Sequence, residues 1–348
     1  MVLMGTDMSL SSLIATPPHS AVELAHTEHN EAQRGKVDIR LPLQYAGDTD
    51  VSVSYEWVGP GHGAPFVFVA GGISAHQHLA ACERFPEHGW CQDLIGRGKT
   101  LDPGKFNLLS FDFLGADGRL DIPLDTQDQA QAVLSVLDHL GVGQLEAFIG
   151  YSYGALVGQQ LAILAPERVK KLVCVSGAHR PHPFAAAWRA CQRSVLALGQ
   201  VQGCEEAGLS LARQIAMLSY RTPEEFAERF DAPATLSSGY VRVGSEDYLT
   251  HAGARYVAKT PATAFLRLSE SIDLHRIDPS HITTQTLLIA IDSDRLVPLA
   301  DITHFLEGLA GNGVLRILRS TYGHDAFLKE HDRIDILLRA FIIDKAHP

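Results

Sequence analysis

Residues 145–155, LEAFIGYSYGA, decide how this chain is read. An apolar run over 145–149 meets Gly150-Tyr151-Ser152-Tyr153-Gly154 and passes at once into Ala155, Leu156, Val157, Leu161 and Ala162 at helical spacing. Strand, sharp turn and helix in that order make the G-x-S-x-G nucleophile elbow, whose serine stands exposed at the carboxyl end of a strand, near the positive end of the following helix. The two glycines let strand and helix close around the turn. The pentapeptide alone also arises in ordinary turns, so the flanking strand and helix carry the reading.

Working outward, residues 66–70 (FVFVA) form a continuous apolar run, as expected of a strand covered on both faces, and end in Gly71-Gly72-Ile73-Ser74-Ala75-His76. Residues 107–113 repeat that pattern, 125–140 carry helical spacing, and 169–175 follow the elbow as the next strand. A parallel sheet wrapped by helices follows from this order. Upstream, 37–45 and 51–57 alternate as an antiparallel hairpin with 47–50 (GDTD) as its turn, and 1–36 read as a loosely ordered arm. After Gly177 the alternation stops. Residues 179–198, 209–220, 223–230 and 245–275 are helical in pattern, with Thr222-Pro223-Glu224-Glu225 as a helix start. Strands return at 286–291 and 314–318, and a helix over 325–343 closes the chain. The expected layout is therefore an arm (1–36), an α/β core (37–177 and 276–348) and a helical lid (178–275).

At 348 residues, 46% hydrophobic and 20% charged, the chain can bury a large core. A formal net charge of −11 argues against nucleic acid or an anionic membrane as partner and favours a small-molecule substrate. Five scattered cysteines without C-x-x-C spacing suggest neither a disulfide framework nor a metal site and suit a reducing cytoplasm. No run reaches the ~18 apolar residues of a membrane span.

An elbow serine is a weak nucleophile until an oriented base takes its proton, and on this fold the order is serine, acid, histidine. The strand at 286–291 is followed by Asp292-Ser293-Asp294, and Asp294, further into the loop, is the expected acid, with Asp292 the alternative. His324 follows the last strand in the loop before the closing helix and is the expected base. The oxyanion hole is expected from the N–H of Tyr153 and one from the glycine-rich loop, Gly72 or Ile73.

With these pieces placed, the chain resembles the homoserine O-acetyltransferase (MetX-type) family of α/β-hydrolase-fold acyltransferases, from about Phe66 to the C-terminus. The carriers are Gly89-Trp90 with residues 94–102 (LIGRGKTLD), the elbow, 166–169 (PERV), 211–221 (LARQIAMLSYR), 293–298 (SDRLVP) and 323–328 (GHDAFL). The resemblance implies Ser152, Asp294 and His324 as triad, and Arg213, Tyr220 and Asp325 as groups that hold the amino-acid acceptor. It implies transfer from acyl-CoA to L-homoserine through an acyl-serine, in cytoplasmic methionine biosynthesis, with acetyl ahead of succinyl. Acyl-CoA would be a co-substrate with no permanently bound cofactor, and the protein a homodimer joined through its lid helices. A serine acceptor, or water in an esterase or thioesterase, are the alternatives. Succinyl would need a cation, for which the lid offers Arg180, Arg189 and Arg193. The elbow departs from the family in Tyr153, where methionine is usual, and in Gly154-Ala155, where two glycines are; the loop over 114–123 is shorter than the family's.

Overall fold

The computed structural model describes residues 31–61 and 63–343. It opens with the hairpin of β1 (Glu31–Leu43) and β2 (Gly47–Gly59). There follow β3 (Phe66–Ala70), β4 (Asn107–Phe111), α1 (Thr126–His139), β5 (Leu145–Tyr151), α2 (Tyr153–Leu164) and β6 (Lys171–Val175). Next come α3 (Pro183–Val201), α4 (Glu205–Tyr220), α5 (Pro223–Phe230), the small hairpin β7 (Thr235–Ser237) and β8 (Tyr240–Arg242), α6 (Glu246–Val257) and α7 (Ala262–Leu274). The chain then returns to the sheet with β9 (Gln285–Ile291), α8 (Leu299–Gly308), β10 (Gly313–Leu318) and α9 (His331–Ile342).

Eight strands lie in the order β1-β2-β4-β3-β5-β6-β9-β10. β1 and β2, and β2 and β4, pair antiparallel; the pairs from β4 through β10 are parallel. This is the α/β-hydrolase architecture expected above. The unbroken apolar runs are explained by two cores, one on each face. Phe68, Phe148, Leu172 and Leu288 pack on one side with α1 and α2, whereas Val67, Ile149, Val173 and Ile289 pack on the other with Ile334 and Leu338 of α9. A strand buried on both faces has no polar alternation to show.

Several expected boundaries move. β1 begins at Glu31, inside the expected arm, pairing Glu31 with Gly59; residues 1–30 lie outside the described residues. Its first half, EAQRGK, is mostly solvated and charged, as an edge strand is, so it carries no apolar period to read. The hairpin turn falls at 44–46, not 47–50, because Gly47, at φ +66°, closes a three-residue loop as its left-handed residue and already pairs with Leu43. The helical pattern expected over 245–275 is realised as two helices, divided at Thr260-Pro261, where proline bars the preceding residue from helical geometry. The closing helix is also two pieces, a short 3-10 segment (Gly323–Leu328) and α9. Helix α8 and the β7–β8 hairpin have no counterpart in the sequence reading.

The insertion between β6 and β9 has a small core of its own, in which Leu196, Leu209, Ala212 and Phe265 meet. Helix α7 belongs to both layers. Its Leu268 joins the core cluster of Val133 and Leu137, and His275, just beyond it, is fully buried with Nδ1 2.8 Å from Thr126 Oγ1. Burial drives the His275 pKa down to about 3, so it is a neutral joint between lid and core.

Candidate active site

The nucleophile's position is set by steric limits on the backbone. Ser152 sits between β5 and α2 at φ 52°, ψ −115°, a conformation unfavourable for a residue with a Cβ and held here by its surroundings. A Cβ on Gly150 would stand 2.4 Å from the Gly154 carbonyl oxygen, and one on Gly154 would stand 2.3 Å from that of Ala70. Strand and helix close around the serine only because both side chains are absent. Gly150→Ala is therefore expected to destabilise the fold by roughly 3 kcal/mol or more, the upper end of overpacking costs, as read from a denaturant midpoint. An unchanged midpoint would contradict this close approach.

The serine has its relay. Ser152 Oγ lies 2.8 Å from His324 Nε2, and His324 Nδ1 lies 2.7 Å from Asp294 Oδ2. The other carboxylate oxygen of Asp294 accepts the N–H of Leu296 at 2.8 Å and of Val297 at 3.0 Å, so the acid is fixed before it meets the imidazole. Asp292, the alternative acid, is exposed and accepts the N–H of Ser320 instead. Burial works against protonating His324, but the charge and hydrogen bond of Asp294, with the charge of Asp325 beside them, outweigh it and raise its pKa above the ordinary histidine value. In this arrangement the Asp294 carboxylate can orient the ring and steady an imidazolium if His324 takes the serine proton.

The first residue of α2 is Tyr153, whose N–H is among those a helix cannot bond internally. Gly72 lies beside the nucleophile: a Cβ built on it would be 3.8 Å from Ser152 Cβ and 3.7 Å from Phe327. The two loops expected to supply oxyanion donors thus meet at the serine. Gly323, at φ +60°, leaves room for the Tyr220 carbonyl, 2.6 Å from where its Cβ would be, and Thr222 Oγ1 donates to the Thr321 carbonyl. The loop carrying the base is therefore seated on the junction of α4 and α5.

The acceptor candidates reach the same cavity, which Ser152, His324, Arg213, Tyr220 and Asp325 all line. Arg213 lies over the rings of Tyr220 (5.5 Å) and Tyr256 (4.7 Å) and makes no ion pair among the described residues. The Tyr220 ring is 5.9 Å from that of His324. Asp325 has a standing partner: Arg221 Nη2 is 3.3 Å from its Oδ2, while Nη1 of the same guanidinium contacts Glu225. Burial raises the Asp325 pKa, opposed by Arg221, His324 and Arg213. Arg221 was not singled out from the sequence, although it closes the quoted block over 211–221; only the fold brings it to Asp325. Trp90, whose indole N–H donates to the His76 carbonyl at 2.9 Å, also enters the cavity wall from a segment that carries no catalytic motif.

A family model described as alpha/beta hydrolase fold matches residues 88–331. Homoserine O-succinyltransferase of Xanthomonas campestris pv. campestris is 57% identical to this chain over 336 residues, covering 95% of this chain and 91% of that protein. The chain belongs to the homoserine O-acyltransferase family. The crystal structure of homoserine O-acetyltransferase from Bacillus anthracis matches with TM-score 0.80 at 15% identity, over 91% of this chain and 99% of that one. Esterase E22 matches with TM-score 0.80 at 18% identity, over 90% and 100%. At such identities the likeness concerns the fold alone, and one fold holding a transferase and an esterase does not choose between them.

Within the homoserine O-acyltransferase family, the unusual elbow residue has a structural account. Tyr153 is fully buried, its ring centroid 4.7 Å from that of Phe113, and its hydroxyl is 2.7 Å from Ser271 Oγ of α7. The shortened loop over 114–123 borders a second depression, whose wall includes Ile73, Ser74 and Tyr256; these also line the active-site cavity. No helix among the described residues is long and apolar enough to cross a membrane. No cluster of metal-ligating side chains occurs among them.

Proposed function

We propose that this chain transfers an acyl group, succinyl ahead of acetyl, from acyl-CoA to the hydroxyl of L-homoserine through a Ser152 ester. The reading is carried by the hydrogen-bonded relay of Ser152, His324 and Asp294, which opens into a cavity lined by an ion-pair-free Arg213. The relative at 57% identity, itself a homoserine O-succinyltransferase, turns the preference from acetyl to succinyl.

In the first half-reaction His324 Nε2 takes the Ser152 proton as Oγ attacks the thioester carbonyl. The N–H groups of Tyr153 and Gly72 receive the oxyanion; the C–S bond breaks and CoA leaves with the proton from His324. In the second, His324 takes the proton of the homoserine hydroxyl as it attacks the ester carbonyl, and Ser152 Oγ leaves with that proton. Arg213 pairs with the acceptor carboxylate, and Asp325, shared with Arg221, with its ammonium. Water competes for the ester, and the lid excludes it. The chemistry uses no resident cofactor. The five free cysteines suit a cytoplasmic setting, and Leu198, Val201, Leu211 and Leu218 are exposed apolar side chains on α3 and α4 that a lid-to-lid homodimer would cover.

Arg213 gives the decisive test of the acceptor. A charge-assisted hydrogen bond of this kind is worth roughly 1.5–3 kcal/mol, so Arg213→Ala should lower homoserine kcat/KM by about 10-fold to 150-fold. Acylation by acyl-CoA should stay near the parent rate. If both half-reactions fall together, or neither does, the acceptor assignment fails and water as acceptor gains.

A further inference from the structure

We propose that Arg189 and Gln192 form the subsite for the distal carboxylate of a dicarboxylic acyl donor, the group that distinguishes succinyl from acetyl. This rests on the transferase reading above and adds how the donor is recognised.

The cavity-facing side of α3 is written at helical spacing: Ala185, Trp188, Arg189 and Gln192 all line the cavity. Gln192 is only 3% exposed, yet its amide has no hydrogen-bond partner among the described residues. Its polar atoms are not sealed from the cavity, so the amide is available to a group that enters it. One helical turn away, the Arg189 guanidinium is held in place. Its Nε and Nη2 lie 2.8 and 2.6 Å from Asp273 Oδ1, while its Nη1 has no partner among the described residues. Asp273 also serves Arg193, whose Nη1 is 2.8 Å from Oδ2 and 2.9 Å from Ser269 Oγ. Two guanidiniums therefore share one carboxylate, leaving one positive charge beyond that carboxylate at the cavity wall. A second carboxylate is the group that completes it, and with its Nε and Nη2 edge on Asp273 the guanidinium of Arg189 keeps Nη1 to donate to one.

The remaining cations are placed differently. Arg193 does not line the cavity, and Arg180 lines it from an exposed position. In the second half-reaction the succinyl ester and homoserine occupy the cavity together and bring two carboxylates, so one arginine cannot serve both. Arg213, on α4 over its two tyrosines, is left to the acceptor. Arg189 approaches the catalytic base from the other helix, near enough for its charge to act on both His324 and Tyr220. The succinyl carboxylate, two methylenes beyond the carbonyl that Ser152 attacks, then points toward α3.

The test compares succinyl-CoA with butyryl-CoA, which has the same chain with a methyl in place of the carboxylate. The readout is CoA release by the full-length protein, with and without homoserine. The parent should favour succinyl-CoA in acylation kcat/KM by about 10-fold to 150-fold. Arg189→Met should remove most of that preference while leaving the butyryl-CoA rate within about threefold. Gln192→Leu, which leaves the Arg189–Asp273–Arg193 trio untouched, should remove a smaller part, about threefold to 10-fold. The inference is overturned if the parent shows no succinyl preference, or if both variants slow the two donors equally. It is also overturned if Arg180→Met abolishes the preference and Arg189→Met does not, or if Arg189→Met raises the homoserine KM with donor preference intact. Release of CoA without transfer to homoserine would refute the transferase reading, yet the succinyl-to-butyryl ratio would still decide the subsite.

Discussion

Ser152→Ala is expected to eliminate the burst of CoA that the parent should release, about one per site, on mixing with acyl-CoA in the absence of homoserine. Loss of the nucleophile in such a relay costs on the order of 10⁴-fold to 10⁶-fold in turnover, leaving what the oxyanion donors and binding supply. Only a hydroxyl leaves, and the close approach of Gly150 to Gly154 that fixes the turn does not involve it. The thermal midpoint should therefore hold. Mass spectrometry should find an acyl adduct on the parent and none on the variant. CoA release by the variant at the parent's rate would remove Ser152 from the chemistry.

Asp294→Asn should cost nearly as much, about 10⁴-fold, because an amide that donates to His324 Nδ1 stabilises the wrong tautomer and no imidazolium. The pH dependence should move in a defined direction. Acylation needs neutral His324, and Asp294 raises its pKa, so the parent's acid limb in acyl-CoA kcat/KM should lie above about 6.5, the ordinary histidine value. Without that charge burial is less opposed, the folded-state pKa falls, and the limb of the residual activity should shift to lower pH. Asp292→Asn should leave rate and limb nearly unchanged, since Asp292 is exposed and holds only the Ser320 N–H. A limb that stays in place in Asp294→Asn, or moves in Asp292→Asn, would reverse the choice of acid.

The sequence made the central layers readable because strands buried on both faces leave uninterrupted apolar runs and the elbow marks where the sheet meets its helix. Chain order then led from Ser152 to Asp294 and His324, although each is a common residue type. The structure adds what no linear pattern carries. Glu31 to Lys36 pair as an edge strand through backbone groups, with mostly polar side chains that show no period. The helical pattern over 245–275 hid a break because Pro261 interrupts a run whose apolar spacing resumes almost at once. Arg221 and Trp90 enter the site from distant segments, Arg221 through packing of lid against core and Trp90 through its contacts with His76 and Tyr151 within the core. Arg180, Arg189 and Arg193 were legible as candidate cations for a succinyl group, but their anchoring was not: Asp273, which binds Arg189 to Arg193, lies eighty-four positions beyond Arg189.

The lid is built into the catalytic centre at two points. Through its hydroxyl, Tyr153 is fastened to Ser271 of α7, and the α4–α5 junction is fastened to the loop of His324 through Thr222, with the Tyr220 carbonyl packed close against Gly323. On the proposed mechanism, Tyr153 as oxyanion donor and His324 as base thus take their alignment partly from the lid that also lines the substrate cavity. A hydrolase cap grafted onto this core would therefore bring a new entrance and a mis-set relay together, so changes of substrate that keep the rate must come from side chains facing the cavity and not from exchange of the cap as a module.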